Sequence, residues 1–253
     1  MRVLLILFSI IILLNVGCKR PDRTLQNRPE IEEGSSTNKD RKATNTTRNE
    51  ELDSKNNRNS VINDSSEKPL KGLSDLFQEL QSEVFMIYAI NELEEVSQGS
   101  GFFIATDIAV TNYHVLEGSK EAIITIAGNT FKILDILAIS DTEQKDYVIF
   151  RTNYKTKDPL KIAKIKPLIG ENIFAIGSPK GLTNSLTKGT ISGFRDNHRI
   201  QIDATIDHGS SGGPLFNERG EVIGITTSGL GTGSELNFAV NIQALPYKKY
   251  VNN

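Results

Sequence analysis

Residues 208–217 read HGSSGGPLFN: three glycines and two serines crowd together, and an apolar run follows at once. Taken alone, the stretch is a flexible turn. It also suits a loop bent so that one serine hydroxyl and a few backbone amides face a reacting carbonyl. The surrounding chain decides between the two.

From Val84 onward, short β-branched or aromatic runs alternate with turn residues: VFMIYAI, GSGFFIA, IAVTN, EAIITIA, TFKILDILAI, DYVIFRT, ENIFAIG, LTKGTISGF, RIQIDATI, EVIGITTS and LNFAVNI. Many short strands at close spacing, with no alternating helices, predict an all-β barrel or sandwich. These eleven runs are too many for one small barrel and suit two. A short helix opens the folded part, with Ser74 expected to cap DLFQELQ and Leu73, Leu76, Phe77 and Leu80 forming its apolar face. The region beginning near Leu70 holds nearly all the aromatics, enough for a core without disulfides.

The N-terminus has a different composition. In MRVLLILFSIIILLNVGC, one arginine precedes an apolar stretch from Val3 to Leu14 that ends in small residues before Cys18, the order of a secretory signal over 1–17. The stretch falls short of the ~20 apolar residues of a spanning helix, which makes a transmembrane anchor the weaker alternative. Lys19 to Lys68 contains six residues of the apolar set and no aromatics, too little burial to offset chain entropy. Residues 18–70 therefore read as a solvated tether, and a segment that binds cell-wall polymer or a partner is the alternative.

A formal charge of -2 gives no footprint of nucleic-acid binding. No repeat, zinc-ligand spacing, EF-hand loop or Walker motif occurs, so neither metal nor cofactor is expected, and the glycine-rich GLGTG at 229–233 lacks the following helix of a phosphate loop.

Three residues gain meaning jointly. His114 follows a strand-like run in TNYHVLEG; alone, it reads as a hydrogen-bonded structural histidine. Asp146 directly precedes the apolar run of DYVIF, and alone it is a turn acid. Ser211 precedes two glycines. Together they run in the order His, Asp, Ser with long gaps, within a chain patterned as paired β-barrels, and that order on that architecture is the chymotrypsin arrangement of the triad.

The resemblance extends over nearly the whole folded part. GSGFFI at 99–104, TNYHV at 111–115, DYVIF at 146–150, GSPKGL at 177–182, TKGTIS at 187–192, GSSGGPLFN at 209–217, GEVIGI at 220–225 and NFAV at 237–240 resemble the blocks of the HtrA (Deg) domain of chymotrypsin-like serine proteases. His208 and Ser210 stand where most family members carry proline and asparagine. After NFAVNIQALPYKKYVNN no PDZ domain is expected, and with it neither PDZ-controlled activation nor the large assemblies of longer relatives. Cys18 directly after Gly17 is similarly placed to the lipidated cysteine of bacterial lipoproteins, although Asn15 departs from the usual leucine.

These resemblances imply a trypsin-like domain over 71–253, with two six-stranded-type barrels at roughly 84–160 and 161–245. Ser211 would be the nucleophile, His114 the general base and then acid, and Asp146 the group that orients the imidazole. The amides of Gly209 and Ser211 would form the oxyanion hole, Gly209 being a glycine because the inward turn is costly for a residue with a Cβ. Thr226, Thr227, Ser228 and Gly229 would present an edge to which extended polypeptide adds as a strand. Thr205 stands six positions before Ser211, where basic-specific relatives keep an acid, so cleavage after Arg or Lys is disfavoured and an apolar, small to medium residue is expected there. Partners implied are polypeptide substrates, a membrane through lipid on Cys18 and, by analogy, a homotrimer; the location implied is a bacterial cell envelope. The rival reading is a catalytically silent protease fold kept as a binding or chaperone lipoprotein.

Overall fold

The computed structural model describes residues 70–178, 184–227 and 237–251. The signal, Cys18 and nearly all of the tether lie outside the described residues. Helix α1 covers Leu73–Leu80. Its start differs from expectation: Gly72 is the N-cap and makes no side-chain cap bond. Ser74 lies one residue inside, exposed, while Leu76 N–H bonds Gly72 O at 3.0 Å. The physical reason is the apolar face. Leu73, Phe77 and Leu80 pack with buried Leu76 against the core, which draws Leu73 into the first turn and moves the cap upstream.

Twelve strands follow, in two closed barrels ordered β1-β2-β3-β6-β5-β4 and β10-β11-β12-β9-β8-β7. The first barrel comprises β1 (Val84–Asn91), β2 (Val96–Phe103), β3 (Ile108–Thr111), β4 (Ser119–Ile126), β5 (Asn129–Ser140) and β6 (Tyr147–Thr152), and a one-turn helix α2 (Tyr113–Leu116) is inserted after β3. The second comprises β7 (Asn172–Gly177), β8 (Ser185–Arg195), β9 (Arg199–Ile202), β10 (Pro214–Asn217), β11 (Val222–Thr227) and β12 (Asn237–Asn241). Eleven of these correspond to the apolar runs; the twelfth, β10, is the four-residue PLFN that leaves the glycine-rich loop. All described pairings between named strands are antiparallel. Closure removes the free edges that would otherwise invite aggregation.

Three apolar clusters account for the packing. Phe85, Ile87, Phe103, Ile124 and Phe150 fill the first barrel, and Ile173, Ile191, Ile200, Leu215 and Ile223 fill the second. A third cluster joins both barrels, running from Leu76 and Phe102 to Phe174, Phe216, Leu245 and Tyr247. Within it the Phe174 and Phe216 rings stack at 4.8 Å. Main-chain allegiance switches between Leu160, whose N–H bonds Phe103 O at 3.0 Å, and Lys161, whose O accepts from Val222 N at 2.8 Å. The chain then returns to the first barrel, where Tyr250 Oη donates to Leu137 O at 2.9 Å. A crevice held from both sides in this way can keep groups from different barrels in register.

Candidate active site

His114 occupies α2, directly after β3. Asp146 occupies the last residue before β6, with φ of 51°, a left-handed conformation uncommon for a residue with a Cβ. Strands β3 and β6 are neighbours, pairing Thr111 with Val148, so the two side chains emerge together at one barrel end. His114 Nδ1 lies 3.1 Å from Asp146 Oδ1 and 2.9 Å from Oδ2. His114 N–H also donates to Oδ1 at 3.1 Å. A carboxylate facing Nδ1 holds the ring proton there and leaves Nε2 as the basic lone pair.

Two further residues fix the acid. Asn112, fully buried, donates from Nδ2 to the Asp146 carbonyl at 2.9 Å. Thr227 Oγ1 approaches Asp146 Oδ2 at 3.4 Å from β11, so the second barrel reaches the first barrel's acid. Burial alone would push the Asp146 carboxyl up. The His114 ring, its charge and the main-chain N–H groups of His114 and Tyr113 outweigh burial and hold the carboxyl below its ordinary value.

The serine side is built from main chain. Asp207–Ser210 and Ser210–Gly213 form two consecutive turns, closed by Ser210 N to Asp207 O at 3.0 Å and Gly213 N to Ser210 O at 3.1 Å. In each, the third residue is a glycine with positive φ, Gly209 at 94° and Gly212 at 89°, the type II pattern. A type II turn rotates its central peptide about half a turn from the type I orientation, and in the first turn that peptide carries the Gly209 N–H. Gly212 is obligatory on a second ground, since a Cβ there would lie 2.1 Å from Ser100 O.

Ser211 is buried at 5% exposure, and its carbonyl accepts from Ser100 N of β2 at 2.8 Å. Gly99, the next residue on β2, packs against both catalytic candidates' surroundings: a Cβ on it would meet Val115 Cγ2 at 2.6 Å and Ser211 O at 3.1 Å. The Ser211 loop is thus bonded to the strand on which the His114 helix rests.

The expected substrate residues divide. Thr226 does not face a substrate: it is 1% exposed, and its Oγ1 donates to Ser210 O at 2.7 Å. Its main-chain N–H donates to Gly213 O and its O accepts from Gly212 N, both at 2.8 Å, so it braces the serine loop. Strand alternation explains the contrast with its half-buried neighbour Thr227, whose side chain points the opposite way. Thr205 is exposed between buried Ala204 and Ile206, on the loop leading to the serine turns. Ser228 and Gly229 lie outside the described residues. His198 stands in the β8–β9 hairpin after Asp196 and Asn197, both with positive φ, and takes no part in the crevice. Ser100, Asn112 and the bracing role of Thr226 were not assigned from sequence; the available signal was a small polar residue placed inside an otherwise apolar strand block.

Twin six-stranded antiparallel barrels bearing a His–Asp pair on one and a glycine-turned serine on the other define the chymotrypsin-like class. The trypsin-like peptidase domain family matches residues 99–225, half of the chain, and the protein belongs to that family. The chain is 34% identical over 172 residues to protease Do-like 1 of Arabidopsis thaliana chloroplasts, covering 60% of this chain and 38% of that protein. It is also 34% identical over 158 residues to anti-sigma-I factor RsgI9 of Acetivibrio thermocellus, covering 60% of this chain and 22% of the relative. The chain therefore spans well under half the length of these relatives. Among solved structures, the serine endoprotease of Yersinia pestis superposes with a TM-score of 0.61 at 26% identity, covering 70% of this chain and 65% of that one. The HtrA-type resemblance of the sequence blocks holds.

Proposed function

We propose that the protein is a serine endopeptidase that hydrolyses extended polypeptide through Ser211, His114 and Asp146. The observation that carries this reading is the approach of His114 Nδ1 to both Asp146 oxygens, at 3.1 and 2.9 Å, beside a loop that fixes Ser211 through its main chain. Ser211 Oγ attacks the scissile carbonyl carbon, and its proton passes to His114 Nε2. The electron pair displaced onto the carbonyl oxygen is met by the N–H groups of Gly209 and Ser211. His114 then hands the proton to the leaving amine nitrogen as the C–N bond breaks, and water cleaves the Ser211 ester by the same route.

Substrate adds as a strand along Thr227–Gly229, which suits unfolded protein. Thr205 in place of an acid favours an apolar, small to medium residue before the cut. The N-terminal sequence supports export, diacylation at Cys18 and a tether that lets the domain reach neighbouring envelope proteins. Assembly as a trimer rests on analogy with relatives.

The test is a fluorophosphonate probe on the purified domain, with Ser211→Ala beside it. Labelling of the wild type and none of the variant is expected. A wild type that stays unlabelled, even with added peptide, would favour a silent, binding-only fold.

A further inference from the structure

The block GSGFFI contains a serine that the catalytic reading leaves without a role. Ser100 is fully buried on β2, opposite Met86. We propose that Ser100 is the positioning residue of the oxyanion loop, its hydroxyl fixing where the Gly209 N–H originates. This rests on the serine-endopeptidase reading above.

The direction of the hydroxyl proton is determined by its partners. Ser178 N–H, at the end of β7, donates to Ser100 Oγ at 3.0 Å. An amide N–H can only donate, so Oγ accepts there. Ser100 Oγ lies 2.8 Å from Gly209 O, which can only accept, so the hydroxyl donates to it.

The other polar groups of Ser100 are also engaged: its N–H bonds Ser211 O at 2.8 Å, and its O accepts from Thr111 Oγ1 at 2.7 Å. One residue of the first barrel therefore holds both ends of the Gly209–Ser211 segment. It also meets the chain end of β7, whose Ser178 carbonyl is taken by Gln98 Nε2 at 3.0 Å.

The consequence lies in one peptide unit. The Gly209–Ser210 peptide is clamped at both faces, its C=O by Ser100 and its N–H by Asp207 O at 3.0 Å. The Gly209 Cα is the pivot from which the preceding N–H projects, and clamping the following peptide fixes that pivot. Without the hydroxyl, Gly209 O and Ser178 N–H lose their partner in a buried site, and the loop shifts to find others. Displacement of an oxyanion donor acts on the transition state and leaves encounter with the ligand nearly unchanged.

The experiment measures the fluorophosphonate inactivation constants kinact and KI of wild type, Ser100→Ala and Ser211→Ala, per folded molecule. In this reaction Ser211 Oγ forms a bond to phosphorus, fluoride leaves, and the hydroxyl proton goes to His114, so the phosphoryl oxygen uses the same donors. For Ser100→Ala, kinact is expected to fall roughly tenfold to a hundredfold with KI within about twofold. The pH at which kinact turns over stays where it is in wild type. A purely structural role would lower the fraction of molecules that label without changing their rate. A kinact within about twofold of wild type overturns the assignment. If the alanine variant does not fold, Ser100→Cys, which fills the volume but donates weakly, reads the same quantity; wild-type kinact there overturns the proposal equally. Labelled wild type with unaltered Ser100 variants sinks this inference alone, whereas unlabelled wild type sinks the peptidase reading and this with it.

Discussion

The two halves of the crevice are held in different ways. On the first barrel, the His114–Asp146 pair depends on side chains: two carboxylate oxygens against one ring nitrogen, an Asn112 amide behind and a Thr227 hydroxyl across. On the second, the Ser211 segment depends on the main chain: two glycine turns, their closing hydrogen bonds, and the carbonyls and amides gathered by Ser100 and Thr226. A base needs an exact orientation and charge environment, which side chains supply. Oxyanion donors need immobile amides, which only a rigid backbone supplies. Substitutions should therefore separate the halves, with charge changes acting on the first and volume changes on the second.

The largest separation is expected from Asp146→Asn. It keeps the shape but replaces one carboxylate oxygen by an NH2 donor, which favours the wrong ring tautomer, so kcat on a peptide substrate should fall by roughly 10⁴-fold. A loss under tenfold would mean that the pair is structural. Gly212→Ala probes the other half. It places a Cβ 2.1 Å from Ser100 O at a φ of 89°, and chemical denaturation should show a loss of roughly 2–4 kcal/mol together with reduced activity. Unaltered stability would show that the turn relaxes freely.

Acid titration sharpens the contrast. The Asp146 carboxyl is depressed below its ordinary 3.8, so its contribution is fully present above that value and is lost as pH falls through the lower, folded value. The stability difference between wild type and Asp146→Asn should therefore shrink below about pH 4. A difference constant down to pH 2 would contradict the depressed carboxyl. The smallest effect is expected for Thr227→Val. Its contact with the carboxylate is long, 3.4 Å, so kcat should fall only about threefold to tenfold.

The same contrast explains what could be read from the sequence. Eleven strands announce themselves because β-branched runs between turns need only local information. Strand β10 escaped because four residues beginning with proline show no alternation. His114, Asp146 and Ser211 were legible as candidates jointly through their order. Ser100 and Asn112 were not, because a buried serine or asparagine acquires a role only from the distant chain it meets, 109 residues away for Ser100 and Gly209. The sequence alone places Thr226 at the substrate edge because register, which decides its face, is a property of the paired strands. The helix cap moved to Gly72 because burial of Leu73 outweighs the capping preference of Ser74.

At the centre of the proposed mechanism, Ser211 works as one unit with a base on the other barrel. This is tested most directly by locating the fluorophosphonate adduct by mass spectrometry and comparing its rate of formation in wild type and His114→Ala. The expected result is an adduct on Ser211 that forms at least ~10³-fold more slowly in the variant. An adduct on another residue, or equal rates in the two proteins, would contradict it.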